Sequence, residues 1–250
     1  MGTDVFLASM SLPASCEVGK TIFKKQFYDH AGLSTTDKKL ITNNIQKVIW
    51  QYCLKPETIN IQPYSDKECE FSELQVIEAR LREKARHQRV AEIIMRSIPY
   101  PMILQLTYGE NLMIVAGMPR INLADQERHT IEEFVYSPWI DSSQLSQLDQ
   151  DFLISIQARN LSYRNFFRFY SNFMDKLHLY NAATMAGRKL QKVDPQEAHR
   201  WSTEIKSIER DLVSLRAQFQ KEFMFNRKVD LNVQIRQLEE KKVRILAELE

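Results

Sequence analysis

The spacing of hydrophobic positions changes several times along the chain, and each change predicts a different element. After Ser34-Thr35-Thr36-Asp37, a capping-box-like helix start, Ile41, Ile45, Val48, Ile49 and Tyr52 line one face until Pro56. That pattern predicts an amphipathic helix of about five turns. Residues 58–63 and 71–81 read as strands, the second alternating through Leu74 and Val76. Helical spacing returns over residues 84–98, with Val90, Ile93, Ile94 and Ile98 inward. Residues 102–107 and 112–116 are short apolar runs joined by Tyr108-Gly109-Glu110-Asn111, a hairpin turn, and residues 131–136 add a strand before Pro138.

From Leu145 onward strand signals stop. Tyr163, Phe166, Phe167, Tyr170, Phe173 and Leu177 form a helical aromatic stripe, and Gly187 and Pro195 interrupt the chain beyond it. Residues 203–250 contain neither glycine nor proline. Ile205, Ile208, Leu212, Leu215 and Phe219 recur in steps of three and four, and Leu231, Ile235, Leu238, Ile245 and Leu249 resume the stripe after a break. Such a seam is buried only against another helix, so these ten residues are expected to form a partner or oligomer interface. A helical hairpin and one long helix with a stutter both fit the break. A nearly continuous or tightly hinged arm is the preferred expectation. The fold class is α+β: an N-terminal mixed sheet with flanking helices, then an all-helical C-terminal region ending in a coiled-coil-like arm or helical hairpin. The divisions are drawn at 1–143, 144–200 and 201–250.

Composition narrows the function classes little. The 250 residues are 44% hydrophobic and 26% charged, ordinary globular material with an ample core. A formal net charge of +2 is too small to argue for nucleic acid, so any such case rests on local clusters. Cys16, Cys53 and Cys69 are scattered without ligand spacing, which suits a reducing compartment. The first thirteen residues lack a basic leader, Phe6 stands where myristoylation needs Ser or Thr, and no window is apolar enough to span a bilayer. The expectation is a cytoplasmic protein without cofactor or resident metal.

Four motifs bear on chemistry. Ala14-Ser15-Cys16-Glu17-Val18-Gly19-Lys20-Thr21 imitates a phosphate loop, but only Gly19 supplies backbone freedom and Glu17 would set a carboxylate beside the phosphates. Glu57 after Pro56, followed by Glu73-Leu74-Gln75 on the next strand, imitates the acid and acid-x-Lys pairs of restriction-type nucleases, with Gln75 in the lysine's place. Arg80, Arg82, Lys84, Arg86, His87 and Arg89 are the densest basic segment; with Lys24 and Lys25, the arginines of this run form a phosphate-contact candidate, against the alternative of a solvated helix face. Arg159, Arg164 and Arg168 interleave with aromatics, in a spacing that fits core packing better than base stacking. The five histidines show no ligand spacing, and no Ser or Cys sits in a nucleophile elbow.

Several segments resemble one family. Gly19-Lys20 through Lys24, Phe27-Tyr28-Asp29-His30-Ala31, residues 48–61 (VIWQYCLKPETINI), Glu73-Leu74-Gln75-Val76, Ile98-Pro99-Tyr100-Pro101 and residues 225–232 (FNRKVDLN) are similar, in order, to blocks of the bacterial domain of unknown function 4391. Met118-Pro119-Arg120 departs from a Tyr-Lys-Arg run that relatives tend to carry. The resemblance implies no established catalytic residues. It implies an association with helicase and DNA-methyltransferase genes in restriction-like or phage-defence loci. The resulting expectation is an accessory, non-catalytic subunit of a DNA-directed complex, with helicase- or methyltransferase-class partners or self-association through the arm. The alternatives are a nucleic-acid-binding module and a metal-dependent nuclease using Glu57, Glu73 and Gln75.

Overall fold

A computed structural model of the chain describes residues 5–30, 33–121, 129–131, 133–190 and 193–248. The elements are α1 (Val5–Met10), β1 (Glu17–Ile22), α2 (Lys24–His30), α3 (Thr35–Asn44), β2 (Ile45–Leu54), α4 (Pro56–Ile59), β3 (Tyr64–Ser65), β4 (Glu70–Phe71), β5 (Leu74–Leu81), α5 (His87–Ser97), β6 (Met102–Tyr108), β7 (Asn111–Ala116), β8 (Pro119–Ile121), β9 (His129–Ile131), β10 (Val135–Tyr136), β11 (Ile140–Asp141), α6 (Gln147–Ser155), α7 (Phe166–Ala186), α8 (Pro195–Lys221) and α9 (Phe225–Glu248). This is the expected α+β class, with strands confined to the N-terminal part. The chain divides into two compact units, Met1–Leu177 and His178–Glu250.

The first unit is built on a mixed sheet in the order β1-β2-β5-β6-β7-β10, with β11 also on β7. β5 and β6 run parallel because α5 carries the chain back between them; the other neighbours are antiparallel. Ile77, Ala79 and Leu81 of β5 and Leu104 and Leu106 of β6 face Val90, Ala91 and Ile94 of α5, together with Leu40 and Ile41 of α3. Strand alternation then turns Leu74, Val76, Glu78 and Arg80, and Ile103, Gln105 and Thr107, to the opposite face. Tyr170 of α7 fastens that face: its hydroxyl lies 2.9 Å from Met102 O, 3.0 Å from Gly117 O and 3.0 Å from Gly117 N.

Two expected elements are corrected. The helix predicted from Ser34 to Pro56 stops at Asn44, and Ile45–Leu54 is the second strand of the sheet. Its Val48, Ile49, Trp50 and Tyr52 are β-branched or aromatic, and pairing with β1 on one side and β5 on the other outweighs a helical period that the same spacing permits. Ser34 does cap α3, its hydroxyl accepting from Asp37 N at 3.1 Å. The strand predicted at 58–63 begins instead as the single turn α4, set by Pro56 in its first turn and by Asn60 in the left-handed region at φ 55°. The phosphate-loop imitation is a 3-10 turn and strand β1, with Gly19 at φ 62° where the pairing with β2 slips. The aromatic stripe is helical from Phe166, and Phe166, Tyr170, Phe173 and Leu177 are buried; Tyr163 precedes α7 and is exposed.

In the second unit α8 and α9 form an antiparallel hairpin. Arg216 pairs with Glu239, Glu209 with Lys242 and Glu204 with Lys241, at 2.6–2.7 Å. Asp194 caps α8 through Gln196 N at 2.8 Å, and Pro195 occupies its first turn. The hairpin is observed, and not the nearly continuous arm that the sequence favours: the helix breaks at residues 222–224 and α9 returns along α8.

Candidate functional site

The alternation of β5 sets two ionisable residues, Glu78 and Arg80, side by side on the sheet face opposite α5. Glu78 is 3% exposed on a central strand. Its carboxylate receives four donors: Arg80 Nε at 2.7 Å, Arg80 Nη2 at 3.2 Å, Gln51 Nε2 at 2.7 Å and Thr107 Oγ1 at 3.3 Å. Those donors fill about all the lone-pair positions a carboxylate offers. The Arg80 side chain is 49% exposed, so the pair runs from the sheet interior to solvent. It lines a cleft of about 760 Å³ whose walls include Val5 and Leu7 of α1, fully buried Gln105, Asn111 and Glu110. A cavity of that size suits a small ligand. Lys47 of β2 is the register partner of Arg80, but the pairing is irregular between Ile45 and Lys47, and it is Gln46 that lines the cleft.

The expected acids fall elsewhere. Glu57 is exposed in the first turn of α4. Glu73, just before β5, accepts from Lys55 Nζ at 3.3 Å and from Gln75 Nε2 at 2.7 Å, while Trp50 Nε1 donates to Gln75 Oε1 at 2.7 Å. Glu73 raises the Lys55 pKa through that hydrogen bond. The row Lys55–Glu73–Gln75–Trp50 borders a smaller, mostly apolar cavity of about 390 Å³, with Ile98 and Tyr100 on its wall. Gln75 therefore joins Glu73 to the Trp50 indole rather than leaving an acid open to a metal. Among the described residues no group of three or more His, Cys, Asp or Glu is placed to hold a metal ion. The three thiols are buried, and desolvation pushes Cys69 up to about 11 and raises Cys16 and Cys53, so each is held as the neutral thiol.

The basic residues are divided between the two sides of the sheet. Lys24 and Arg82 meet at the C-terminus of α3, where Lys24 Nζ donates to Thr42 O at 3.1 Å and to Ile45 O, and Arg82 Nη1 donates to Thr42 O at 3.0 Å and Asn43 O at 3.1 Å. Cations at these carbonyls complete the end of the helix. Partial burial and then the Arg82 charge lower the Lys24 pKa. Arg89 clasps Asp37 with two bonds, at 2.9 and 2.8 Å, and Glu92 with a third at 3.0 Å. Arg86 is exposed at the head of α5 in the left-handed region, and Lys25 is exposed on α2. Arg80 lies on the other side of the sheet, in the cleft. Arg120, in the segment that departs from the family pattern, pairs with Glu68.

The seam residues of the C-terminal stripe are spent within the chain. Ile205, Ile208, Leu212, Ile235 and Ile245 are buried in one cluster with Trp201 and Ala198, and Leu215, Phe219 and Leu238 pack half-buried against it. Leu231 is half-buried, and Leu249 lies outside the described residues. The apolar side chains left at solvent are others: Phe223 is 96% exposed, Met224 60% and Phe225 78%, at the turn between α8 and α9. Sequence reasoning passed over this run, and over Glu78 and Gln105, although each is a local violation: three large apolar residues at a turn, and single polar residues inside apolar strands.

No helix among the described residues is long and apolar enough to cross a membrane. No curated protein and no solved structure matches the chain. One family model does, over residues 10–241, with both the sheet that carries Glu78 and Arg80 and nearly all of the hairpin inside the match. The chain thus belongs to the family described as domain of unknown function DUF4391.

Proposed function

We propose that this protein is a non-catalytic binding subunit of a DNA-directed complex, and that the turn of the α8–α9 hairpin docks a protein partner. The carrying observation is the solvent-open run Phe223-Met224-Phe225 on a hairpin whose own seam is already closed. Val229 and Val233, 45% and 48% exposed, continue from Phe225 along α9 in steps of four. An apolar stripe at helical spacing is what a groove or helix on another protein covers. Aromatic and methionine side chains are also the residues that anchor interfaces.

Charge favours a foreign partner over a second copy. Lys221, Arg227 and Lys228 surround the turn, opposed by Glu222 and Asp230. The Glu222 carboxylate is folded onto the backbone, accepting from Phe223 N at 2.8 Å and Met224 N at 2.9 Å. Two such turns face to face would oppose like charges, whereas an apolar groove with an acidic rim complements one. The association of relatives with helicase and methyltransferase genes supplies the partner class.

The test is co-expression with a neighbouring helicase or methyltransferase, followed by light scattering and calorimetry on the purified complex. A complex that is lost, or weakened at least tenfold, in a Phe223→Ser, Phe225→Ser variant of unchanged helicity supports the reading. A complex indifferent to both changes, no complex with either partner, or DNA binding by the chain alone that depends on these phenylalanines, overturns it.

A further inference from the structure

We infer that the surface around Tyr163 and Arg168 binds a single-stranded nucleic acid, with Arg164 and Arg168 on its phosphates and Tyr163 as the platform on which a base stacks. The aromatic stripe of residues 163–177 divides in the fold. Phe166, Phe169, Tyr170 and Phe173 are fully buried, whereas Tyr163 is 43% exposed and Arg159, Arg164 and Arg168 all lie at the surface. Buried Phe169 braces the Tyr163 ring, at 5.9 Å between centroids and 86° between planes. The Arg168 guanidinium lies over the Phe167 ring at 5.7 Å, and Phe167 in turn stacks with Tyr64 at 4.9 Å and 26°. A guanidinium held over a ring keeps its in-plane N–H donors for the oxygens of a phosphate, and it gives up rotamer freedom before any ligand arrives.

No carboxylate claims these arginines. Among the described residues neither Arg164 nor Arg168 makes a side-chain hydrogen bond or an ion pair, and Arg159 donates to the neutral Gln157 Oε1 at 2.9 Å. Arg80, Arg89 and Arg120, by contrast, each hold an Asp or Glu. Asp66, the acid bonded to Tyr64, is turned into its own loop, where it accepts from Tyr64 Oη and from the N–H groups of Glu68 and Cys69, each at 2.8 Å. Glu68 is taken by Arg120. Residues 159–168 thus carry three cations and no acid, and an anionic strand relieves their repulsion. An anion alone has no use for an exposed ring beside them. Cations alternating with an aromatic platform suit an unpaired strand, in which every linkage offers a charge and every base a flat face. The bases of a duplex are stacked on one another already, so a duplex leaves Tyr163 empty. This site stands on other residues than the docking turn: Phe223→Ser with Phe225→Ser leaves it intact, and its loss leaves the protein complex intact.

Fluorescence anisotropy of the full chain with labelled single strands of about twelve nucleotides tests it. The expected result is a single strand bound at least tenfold more tightly than the same sequence as a duplex, weakening as salt is added. Ribonucleotide and deoxyribonucleotide strands of one sequence distinguish RNA from DNA as the source. Arg164→Gln with Arg168→Gln cuts affinity at least tenfold and lowers the magnitude of the slope of log affinity against log salt by about 1.4, at about 0.7 for each phosphate contact. Tyr163→Ala weakens binding about tenfold with that slope unchanged, while Tyr163→Phe keeps the ring and binds like wild type. These side chains are at the surface, so a melting temperature close to that of wild type verifies each fold. The site is overturned by no binding of either strand at low salt, by a duplex bound as tightly, or by an oligoglutamate peptide that competes as well as the strand. A slope left unmoved by the paired arginine changes overturns the phosphate contacts, and equal loss in Tyr163→Phe and Tyr163→Ala overturns the stacking.

Discussion

Replacing Tyr170 with phenylalanine isolates one hydroxyl in a fully buried place and gives a magnitude that the geometry fixes in advance. The hydroxyl has a single proton, which it gives to Met102 O at 2.9 Å or Gly117 O at 3.0 Å, and it accepts from Gly117 N–H at 3.0 Å. Burial pushes its pKa well above the ordinary tyrosine value, so it is neutral and a donor at any working pH. Phenylalanine keeps the ring contact with Phe71, at 5.7 Å between centroids, and leaves the Gly117 N–H and one carbonyl unmatched in an apolar interior. An orphaned buried donor costs about 1–3 kcal/mol, and the lost carbonyl bond about 1 more. The expected destabilisation of the first unit is therefore about 2–4 kcal/mol. Unfolding in urea, followed by tryptophan fluorescence in a Trp201→Phe background, measures it, because Trp50 and Trp139 then report that unit alone. Tyr163→Phe, at an exposed ring, is the control and stays within about 0.5 kcal/mol. A Tyr170→Phe effect as small as the control's would mean that Gly117 and Met102 find other partners, and the argument that Tyr170 fastens the sheet would fail.

Two further predictions rest on titrating groups. Asp37 is held down to about 2, first by its hydrogen bonds from Arg89, so it stabilises the fold above its unfolded pKa near 3.9 and loses that contribution as pH falls through about 2. The full shift corresponds to about 2.5 kcal/mol, but Arg89 is 43% exposed and screening reduces it; Asp37→Asn is expected to cost about 1–2 kcal/mol at pH 7 and almost nothing at pH 2, read from urea midpoints at both. His178 loses stability in the same direction but at higher pH and for a different reason: burial first, then the neighbouring His199 and Lys206, hold it down to about 4. The unfolded chain takes up the proton near 6.5 and the folded chain does not, so stability is complete above 6.5 and declines towards pH 4, by up to about 3 kcal/mol. The difference between wild type and His178→Leu, followed by Trp201 fluorescence, should grow across that window; a difference independent of pH removes His178 as the cause.

Class and most elements were legible because patterning decided them. The α5 face and the two halves of the C-terminal stripe each repeat at the helical period and are buried along it, while the β6–β7 hairpin shows as two short apolar runs on either side of a turn signal. Residues 45–54 read as helix because Ile45, Val48, Ile49 and Tyr52 satisfy helical spacing, while the strand they form is interrupted by irregular pairing at two places, so its burial does not follow a clean alternation. The deciding contacts come from Trp50 against Ile77 and Val48 against Ala79, about thirty residues away in sequence, which no local window sees. The basic run from Arg80 to Arg89 was legible as charge and not as surface. A strand alternates sides while a helix turns by 100° per residue, so Arg80 is directed to the cleft, Arg82 to the end of α3, and Arg89 to Asp37. Partner identity cannot be recovered from spacing either. The stripe announced a helix neighbour, and the neighbour is the same chain.

Where sequence, local structure and burial agree, as they do through most of both units, residues explain themselves by stability alone. Two of the described places where they disagree bear on the sites above. Glu78 sets a charge into a strand whose neighbours are apolar, and the fold surrounds it with four donors, two of them from Arg80 at the wall of the cleft. Phe223, Met224 and Phe225 set a run of three exposed apolar residues at a turn, where glycine or a polar residue would cost less, while the hairpin seam beside them is closed. Neither feature improves the isolated chain, since a buried ion pair is often replaceable by an apolar one and an exposed aromatic run invites aggregation. On the docking proposal, an apolar groove with an acidic rim covers the second, and Phe223→Ser with Phe225→Ser weakens that complex while leaving the stability of the first unit unchanged.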